Sequence, residues 1–163
     1  MLKALEERGQ IRRGYFITGL GAAQFALPGA VDRLRDLRPR PDHVAGDAIV
    51  LSAVDPAQPY GAALPWPTNE GRPSRSAGAY VVLRDGEALA FLERGGKSVV
   101  LFPAADADDS WADALASLAR SGRIKGIEVQ KINGAPAAER PDAKASLLGA
   151  GFKPGYKGPT LRR

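Results

Sequence analysis

A chain of 163 residues with 44% hydrophobic and 25% charged side chains has the composition of a globular protein that can bury a core. The sequence has no cysteine and only one histidine, His43, which excludes disulfides, thiolate metal sites and histidine-rich metal sites. No apolar run approaches the roughly 18 residues of a transmembrane helix, and no basic region followed by an apolar stretch predicts a signal peptide. We therefore expect a cytoplasmic protein without a membrane partner.

The net charge of +5 is concentrated towards the two ends of the chain. Residues 1–40 carry eight basic and four acidic side chains, and residues 117–163 carry ten basic and three acidic ones. Two basic segments on a small protein are compatible with a polyanionic partner such as DNA. They are equally compatible with a basic, well-solvated surface that binds nothing.

The first forty residues have the pattern that ends a winged helix. Residues 1–8 begin inside an amphipathic helical pattern, so we expect them to continue a longer chain. Strand-like residues 11–17 and 23–27 flank the turn sequence Thr18-Gly19-Leu20-Gly21, and together they predict a β-hairpin. The apolar spacing in residues 29–38 predicts a short helix, which the following prolines would end.

The remainder of the chain is predicted to be rich in strands. Its predicted strands span residues 48–54, 79–83, 88–93, 98–102 and 124–132. Its predicted helices span residues 110–120 and 143–150. The polar segment 68–78 has the composition of a mobile loop.

These elements do not alternate as strand, helix and strand, so a parallel doubly wound sheet is not expected. The predicted fold class is α+β: the end of a winged helix (a helix plus the wing hairpin) followed by an antiparallel β-rich, barrel-like module with one or two helices. We place the C-terminal part of the winged helix and its following helix at residues 1–40. The β-rich module is placed at residues 41–163.

Two glycine-containing segments resemble phosphate-binding motifs without completing them. The segment Gly19–Gln24 has glutamine in place of the last glycine of the dinucleotide fingerprint and precedes a predicted strand instead of a helix. The segment Gly95–Ser98 lacks the earlier glycine of a P-loop, since Phe91 stands there, and it also leads into a strand. We interpret both as turns and predict no cofactor and no ATP hydrolysis for this chain.

Basic and aromatic side chains around the predicted wing are candidate DNA ligands. Basic side chains there can contact phosphates, and an exposed tyrosine can stack on a base. The alternative is a solvated edge strand whose charges prevent aggregation. The predicted DNA-binding residues are Arg8, Arg12, Arg13, Tyr15, Arg33 and Lys97.

Other polar residues have more ordinary interpretations. Asp55 follows a predicted strand, where an aspartate more often caps a turn than performs catalysis. Gln24, on the second wing strand, can reach a base edge or pair with the backbone, and we favour the backbone. His43 is interpreted as a surface residue, although a general acid or base is an alternative. The acidic run Asp106–Asp113 is interpreted as the start of a helix rather than a metal site.

Four long segments of the sequence resemble the large helicase-related (Lhr) proteins. They are LEERGQIRRGYFITGLGAAQFALPGAVDRLRDLR, VLSAVDPAQPYGAALPWP, AGAYVVLRDGEALAFLERGGKSVVLFP and GFKPGYKGPTLRR. The segments occur in the family's order, and the resemblance covers residues 5–163, with residues 68–78 the vaguest part. The likeness is to the C-terminal end of these proteins.

The resemblance implies a place in a superfamily 2 helicase, which translocates on single-stranded DNA with ATP, unwinds duplexes and RNA–DNA hybrids, and is linked to DNA repair. ATP and Mg would belong to motor domains upstream of this chain. The family's C-terminal extension combines tandem winged helices with a β-barrel-like module and looks like winged-helix DNA glycosylases. Some members are associated with uracil-DNA glycosylase activity and with oligomer formation.

Three hypotheses remain open. The first is an accessory module of an Lhr-type DNA helicase whose partners are single-stranded or duplex DNA and the rest of the helicase chain. The second is a uracil-type glycosylase, which needs a carboxylate or a glutamine-held water beside a flipped base; Asp55, Asp142 and Gln24 are weak candidates. The third is a structural module that forms homo-oligomers. No cluster of unusual polar residues stands out in the sequence, which favours the first and third.

Overall fold

The computed structural model describes residues 1–38 and 43–162. The chain divides into two compact units, Met1–Val44 and Ala45–Arg163. The predicted boundary between residues 40 and 41 lies outside the described residues, and so do Pro39 and Pro41, which were expected to end the helix.

The described part of the first unit, residues 1–38 and 43–44, contains two short helices and one hairpin. Its elements are α1 (Leu2–Glu7), β1 (Arg12–Gly14), β2 (Gln24–Ala26) and α2 (Ala30–Asp36). The two strands pair antiparallel, with Arg13 opposite Phe25. Among the described residues of this unit, the buried apolar side chains are Ile11 and Ala26. A unit of this size buries little apolar surface, which is typical of a part of a larger domain.

The second unit is built on a six-stranded sheet with the order β3-β4-β5-β6-β8-β9. These strands are β3 (Ile49–Ser52), β4 (Tyr80–Arg84), β5 (Glu87–Leu92), β6 (Ser98–Leu101), β8 (Lys131–Ile132) and β9 (Ala135–Pro136). A separate two-stranded sheet joins β7 (Gly126–Glu128) to β10 (Thr160–Arg162). Its helices are α3 (Ser110–Arg120) and α4 (Pro141–Gly149), with short 3₁₀ turns at Pro103–Asp106 and Ala137–Glu139.

The α+β class is confirmed, but the description as barrel-like is not supported. Within the part of the chain that the structure describes, β3 and β9 are free edges and the sheet is open. Closing a barrel requires the two edge strands to pair, and β9 has only two residues, one of them Pro136, which has no N–H to donate. The sheet is also not wholly antiparallel, because β6 and β8 run parallel.

Both faces of the central strand β5 are covered, which explains its unbroken apolar sequence. On one face, Leu92 belongs to a core that includes Trp111 and Leu115 of the amphipathic helix α3. On the other face, Phe91 packs with Phe102 in a second core. The first core packs α3 against one face of the sheet, and the second core packs residues of the segment between β3 and β4 against the other face.

The long segment between β3 and β4 closes the second core. The indole of Trp66 stacks on Phe102 with a centroid separation of 6.0 Å and meets Phe91 edge-on at 5.5 Å. Gln58 is fully buried there, and its side-chain amide donates to the carbonyls of Ala53 and Tyr60. Trp66 is thus a partly buried side chain that packs against the second core.

Candidate nucleic-acid interface

The hairpin of the first unit presents basic and aromatic side chains to solvent. Arg12 and Arg13 on β1 are exposed, and Tyr15, just beyond the strand, is 80% exposed. Arg13 lies directly opposite Phe25, which is 39% exposed, so a cation and a ring share one face of the hairpin. Neither arginine forms an ion pair with any described residue. The hairpin therefore offers two uncompensated cations beside accessible rings.

Gln24 holds the loop of this hairpin in shape. Its Oε1 accepts hydrogen bonds from the backbone N–H groups of Phe16 and Ile17, each at 2.9 Å. Its Nε2 donates to the carbonyl of Ile17 at 2.8 Å and to that of Leu20 at 2.9 Å. All four interactions go to backbone groups that the loop would otherwise leave to water. The side chain is thus engaged in structure, as the backbone interpretation expects.

The predicted DNA-binding residues are divided between the two units. Arg8 is exposed at the end of α1, and Arg33 is exposed on α2. Lys97 belongs to the second unit and is exposed in the turn between β5 and β6. The structure therefore places the wing residues in one unit and Lys97 in the other.

The second unit contains an acidic cleft of about 920 Å³ where α3 and α4 begin. Its acidic lining residues are Glu70, Asp106, Asp108, Asp109, Glu139 and Asp142. One cation of the cleft, Arg140, is paired with Glu70 at 2.7 Å. No group of three metal-ligating side chains suited to an ion occurs among the described residues. Such a surface repels a phosphate backbone.

Asp108 is the best-anchored carboxylate of that cleft. Its Oδ1 accepts a hydrogen bond from the N–H of Ser110 at 3.0 Å, and its Oδ2 lies 2.8 Å from Nη1 of Arg84. Burial by itself would raise the pKa of Asp108. The hydrogen bonds from Ser110 and the guanidinium of Arg84 outweigh it and hold the pKa below its usual range. The helix interpretation of the acidic run agrees with this geometry.

We expect acid to weaken the second unit partly through Asp108. Because its folded pKa is depressed, the stabilisation is present above the unfolded pKa of about 3.9 and is lost as pH falls through the lower folded value. Asp108→Asn should therefore lower stability at pH 7, and the difference from the unsubstituted protein should be smaller at pH 3. Urea unfolding at both pH values measures this. Asp109→Asn, at an exposed neighbour, is the control, and a pH-independent difference for Asp108→Asn would contradict the prediction.

Comparison with known proteins places this chain in a family. Residues 1–45 match the family model of the winged-helix domain of the large helicase-related protein. The chain is 46% identical over 173 residues to the Lhr helicase/probable uracil glycosylase of Mycolicibacterium smegmatis, a match that covers 99% of this chain and 12% of that protein. It is 34% identical over 147 residues to the Lhr helicase/uracil glycosylase of Escherichia coli K12, covering 86% of this chain and 10% of that protein.

The chain belongs to the Lhr family. It spans about a tenth of the length of the two Lhr relatives. The matched winged-helix region contains α1, β1, β2 and α2, so the β1–β2 hairpin is the wing of this Lhr domain. The resemblance inferred from the sequence is confirmed.

The three weak catalytic candidates of the Lhr chain have different local surroundings. Gln24 lies in the first unit, and Asp142 lines the acidic cleft of the second. The carboxylate of Asp55 caps its own turn by accepting from the N–H of Ala57 at 2.9 Å. His43 is exposed, and the neighbouring Asp42 lies outside the described residues. Among the helices described, none has the length and apolar character needed to cross a bilayer.

Proposed function

We propose that this region acts as a DNA-binding accessory module of an Lhr helicase involved in DNA repair, with no ATPase activity of its own. The observation that carries the proposal is the wing hairpin, on which Arg12 and Arg13 are exposed beside Tyr15 and form no ion pair with a described residue. Cations without such ion pairs can bind phosphates without first having to break them, so they are well suited to contact a DNA backbone.

The geometry of the wing supports two kinds of contact. Successive residues of a strand point to opposite faces, so Arg12 and Arg13 extend to the two sides of β1. The Arg13 face also carries the ring of Phe25, which suits stacking on an unpaired base. The Arg12 side offers a cation for a phosphate. The hydrogen bonds of the Gln24 side chain to the loop backbone hold the hairpin that carries both contact groups.

The two glycine-rich segments also support the proposal. Gly95–Ser98 forms the turn into β6, and Gly19–Gln24 leads into β2, so neither opens a helix that could hold nucleotide phosphates. We propose that ATP and Mg are bound by other parts of the full-length protein.

The proposal predicts that Arg12→Ala with Arg13→Ala weakens DNA binding and lowers its salt dependence. Each lost phosphate contact should reduce the slope of log affinity against log salt by about 0.7 to 0.9, so the double variant should lose roughly 1.5. Fluorescence anisotropy with a labelled single strand and a labelled duplex at several salt concentrations measures both quantities. Arg35→Ala with Arg38→Ala removes the same charge from exposed residues after the wing and is the control.

An equal loss in the control would mean that only net charge matters and would overturn the role of the wing. No binding at low salt, combined with oligomers in gel filtration, would instead select the homo-oligomeric assembly module. Circular dichroism of each variant shows whether the secondary structure is retained.

A second candidate function, removal of uracil from DNA, is favoured by the names of both relatives and by the size of the acidic cleft. The cleft volume falls within the range of small-molecule pockets, and the exposed carboxylate of Asp142 lines it. The discriminating experiment incubates the protein with a uracil-containing strand and cleaves abasic sites with alkali. Cleavage that is lost in Asp142→Asn would establish this activity. Absence of cleavage leaves the accessory module as the function.

A further inference from the structure

We infer that the second unit carries its own site for the sugar-phosphate backbone of a nucleic-acid strand, in a cleft lined by Lys97, Lys125 and Arg162. The cleft has a volume of about 350 Å³. It belongs to a different unit from the wing hairpin. The inference therefore goes beyond the proposed function and can hold or fail independently of it.

Three segments distant in sequence build this basic cleft, and backbone hydrogen bonds hold them together. Glu128 N–H donates to the carbonyl of Gly96 at 3.0 Å, and Gln130 N–H donates to the carbonyl of Lys97 at 2.8 Å. These bonds fix the β5–β6 turn against β7. On the other side, β10 pairs with β7 and sets Arg162 opposite Gly126, the neighbour of Lys125. The three cations are thus brought to one place by the fold.

The turn can approach β7 so closely because it contains glycine. Gly96 has φ +70°, and a Cβ there would lie 3.3 Å from the carbonyl oxygen of Gly126. The neighbouring Gly95 and Gly126 also line the cleft without side chains. At these two positions the cleft is therefore not narrowed by side chains.

The charges of the basic cleft are not balanced from within. Lys97, Lys125 and Arg162 form no ion pair with any described residue. The only carboxylate among the described lining residues is Glu128, which accepts a hydrogen bond from Nε2 of Gln130 at 3.2 Å. Three cations against one anion make an anionic ligand the complementary occupant.

The two clefts of the second unit lie beyond opposite ends of β6. Gly95 and Lys97 of the basic cleft precede Ser98, whereas Phe102 and Pro103 of the acidic cleft follow Leu101. A four-residue strand separates them by roughly 13 Å. A polyanion is therefore attracted at one end of the unit and repelled at the other. A strand bound at the basic cleft is therefore directed away from the acidic cleft.

The test compares Lys97→Glu and Lys125→Glu, singly, with the matched reversal Lys144→Glu, which lies outside the basic cleft. The probe is a fluorescent single-stranded oligonucleotide of about 20 nucleotides, titrated with the 163-residue chain at several salt concentrations. We expect each cleft variant to bind at least about tenfold more weakly than Lys144→Glu, with a smaller salt slope. The milder Lys97→Ala and Lys125→Ala keep the test valid if a reversal disturbs folding.

Equal affinities for the cleft variants and Lys144→Glu would overturn the inference. So would displacement of the oligonucleotide by inorganic phosphate beyond that by chloride at equal ionic strength, because the cleft would then be a small-anion site. The wing variant Arg12→Ala with Arg13→Ala, measured in parallel, separates the two proposals. If only the wing variant loses binding, the wing is the DNA site and the cleft is not. If only the cleft variants lose binding, the cleft is the site and the wing is not.

Discussion

Trp111→Ala is expected to lower the unfolding free energy of the second unit by about 3–5 kcal/mol. Trp111 is 1% exposed on the buried face of α3, in the same core as Leu115 and Leu118. Removing the indole leaves a cavity between helix and sheet that the rigid strands cannot close. For a domain of ordinary stability this is a large fraction of the total.

Urea denaturation followed by circular dichroism measures the loss, and the remaining Trp66 reports unfolding by fluorescence from the opposite face of the same sheet. Trp111→Phe refills much of the volume and should cost clearly less. An unchanged urea midpoint for Trp111→Ala would show that α3 is not essential to the core.

Gly158→Ala is expected to have the second large effect, with a loss of about 3 kcal/mol. Gly158 has φ +150°, and a Cβ at this position would lie 1.9 Å from the carbonyl oxygen of Val129. Val129 cannot yield easily, because its own N–H donates to the carbonyl of Pro159 at 2.8 Å. The substitution must therefore push the chain before β10 away from the strand region that it covers.

Thermal unfolding measures this effect, and Gly149→Ala is a matched control. Gly149 ends α4 with open space around its Cβ position, so alanine there should be neutral or slightly stabilising. Because β10 carries Arg162, Gly158→Ala should also weaken nucleic-acid binding at the basic cleft. Equal melting temperatures for the two glycine variants would refute the close approach.

Local turn chemistry made much of the strand pattern predictable. Asn133-Gly134 is a strong signal for a tight turn, and it joins β8 to β9 with positive φ at both residues. The wing hairpin, α3 and α4 were also recognisable, because glycine turns and apolar periodicity act over a few neighbouring residues.

Strand partners were not predictable in the same way. Residues 124–132 read as one strand, but the structure divides them between β7, which pairs with β10, and β8, which pairs with β6. The division occurs where Gln130 and Lys131 both donate to the carbonyl of Lys97. Periodicity identifies an extended segment but carries no information about which distant strand it will meet.

The polar segment 68–78 also differs from its prediction. Its composition predicts a mobile loop, yet Arg75 anchors it by donating to the carbonyls of Gln58 and Asp55 at 2.7 and 3.1 Å. A single arginine that donates to backbone carbonyls about twenty residues earlier in the same connection leaves no periodic pattern in the sequence.

The candidate wing site was predictable from the sequence, whereas the basic cleft was not. Arg12, Arg13 and Tyr15 are close in sequence, so a predicted hairpin was enough to place them on one surface. Lys125 and Arg162 were not singled out, because they join Lys97 only through the pairing of β7 with β10. Charge counts alone indicated the basic C-terminal segment without locating a site in it.

An open sheet leaves a strand edge that another chain could extend, and β3 is such an edge. Nη1 of Arg123 donates to the carbonyl of Val50 on this strand at 3.1 Å, and its guanidinium lies 5.7 Å from the ring centre of Tyr80. The arginine thereby occupies an acceptor that an incoming strand would need and places a charge across its path. Copies of the protein at high concentration are thus hindered from joining edge to edge into a continuous sheet, and the surface stays available for contacts made by side chains.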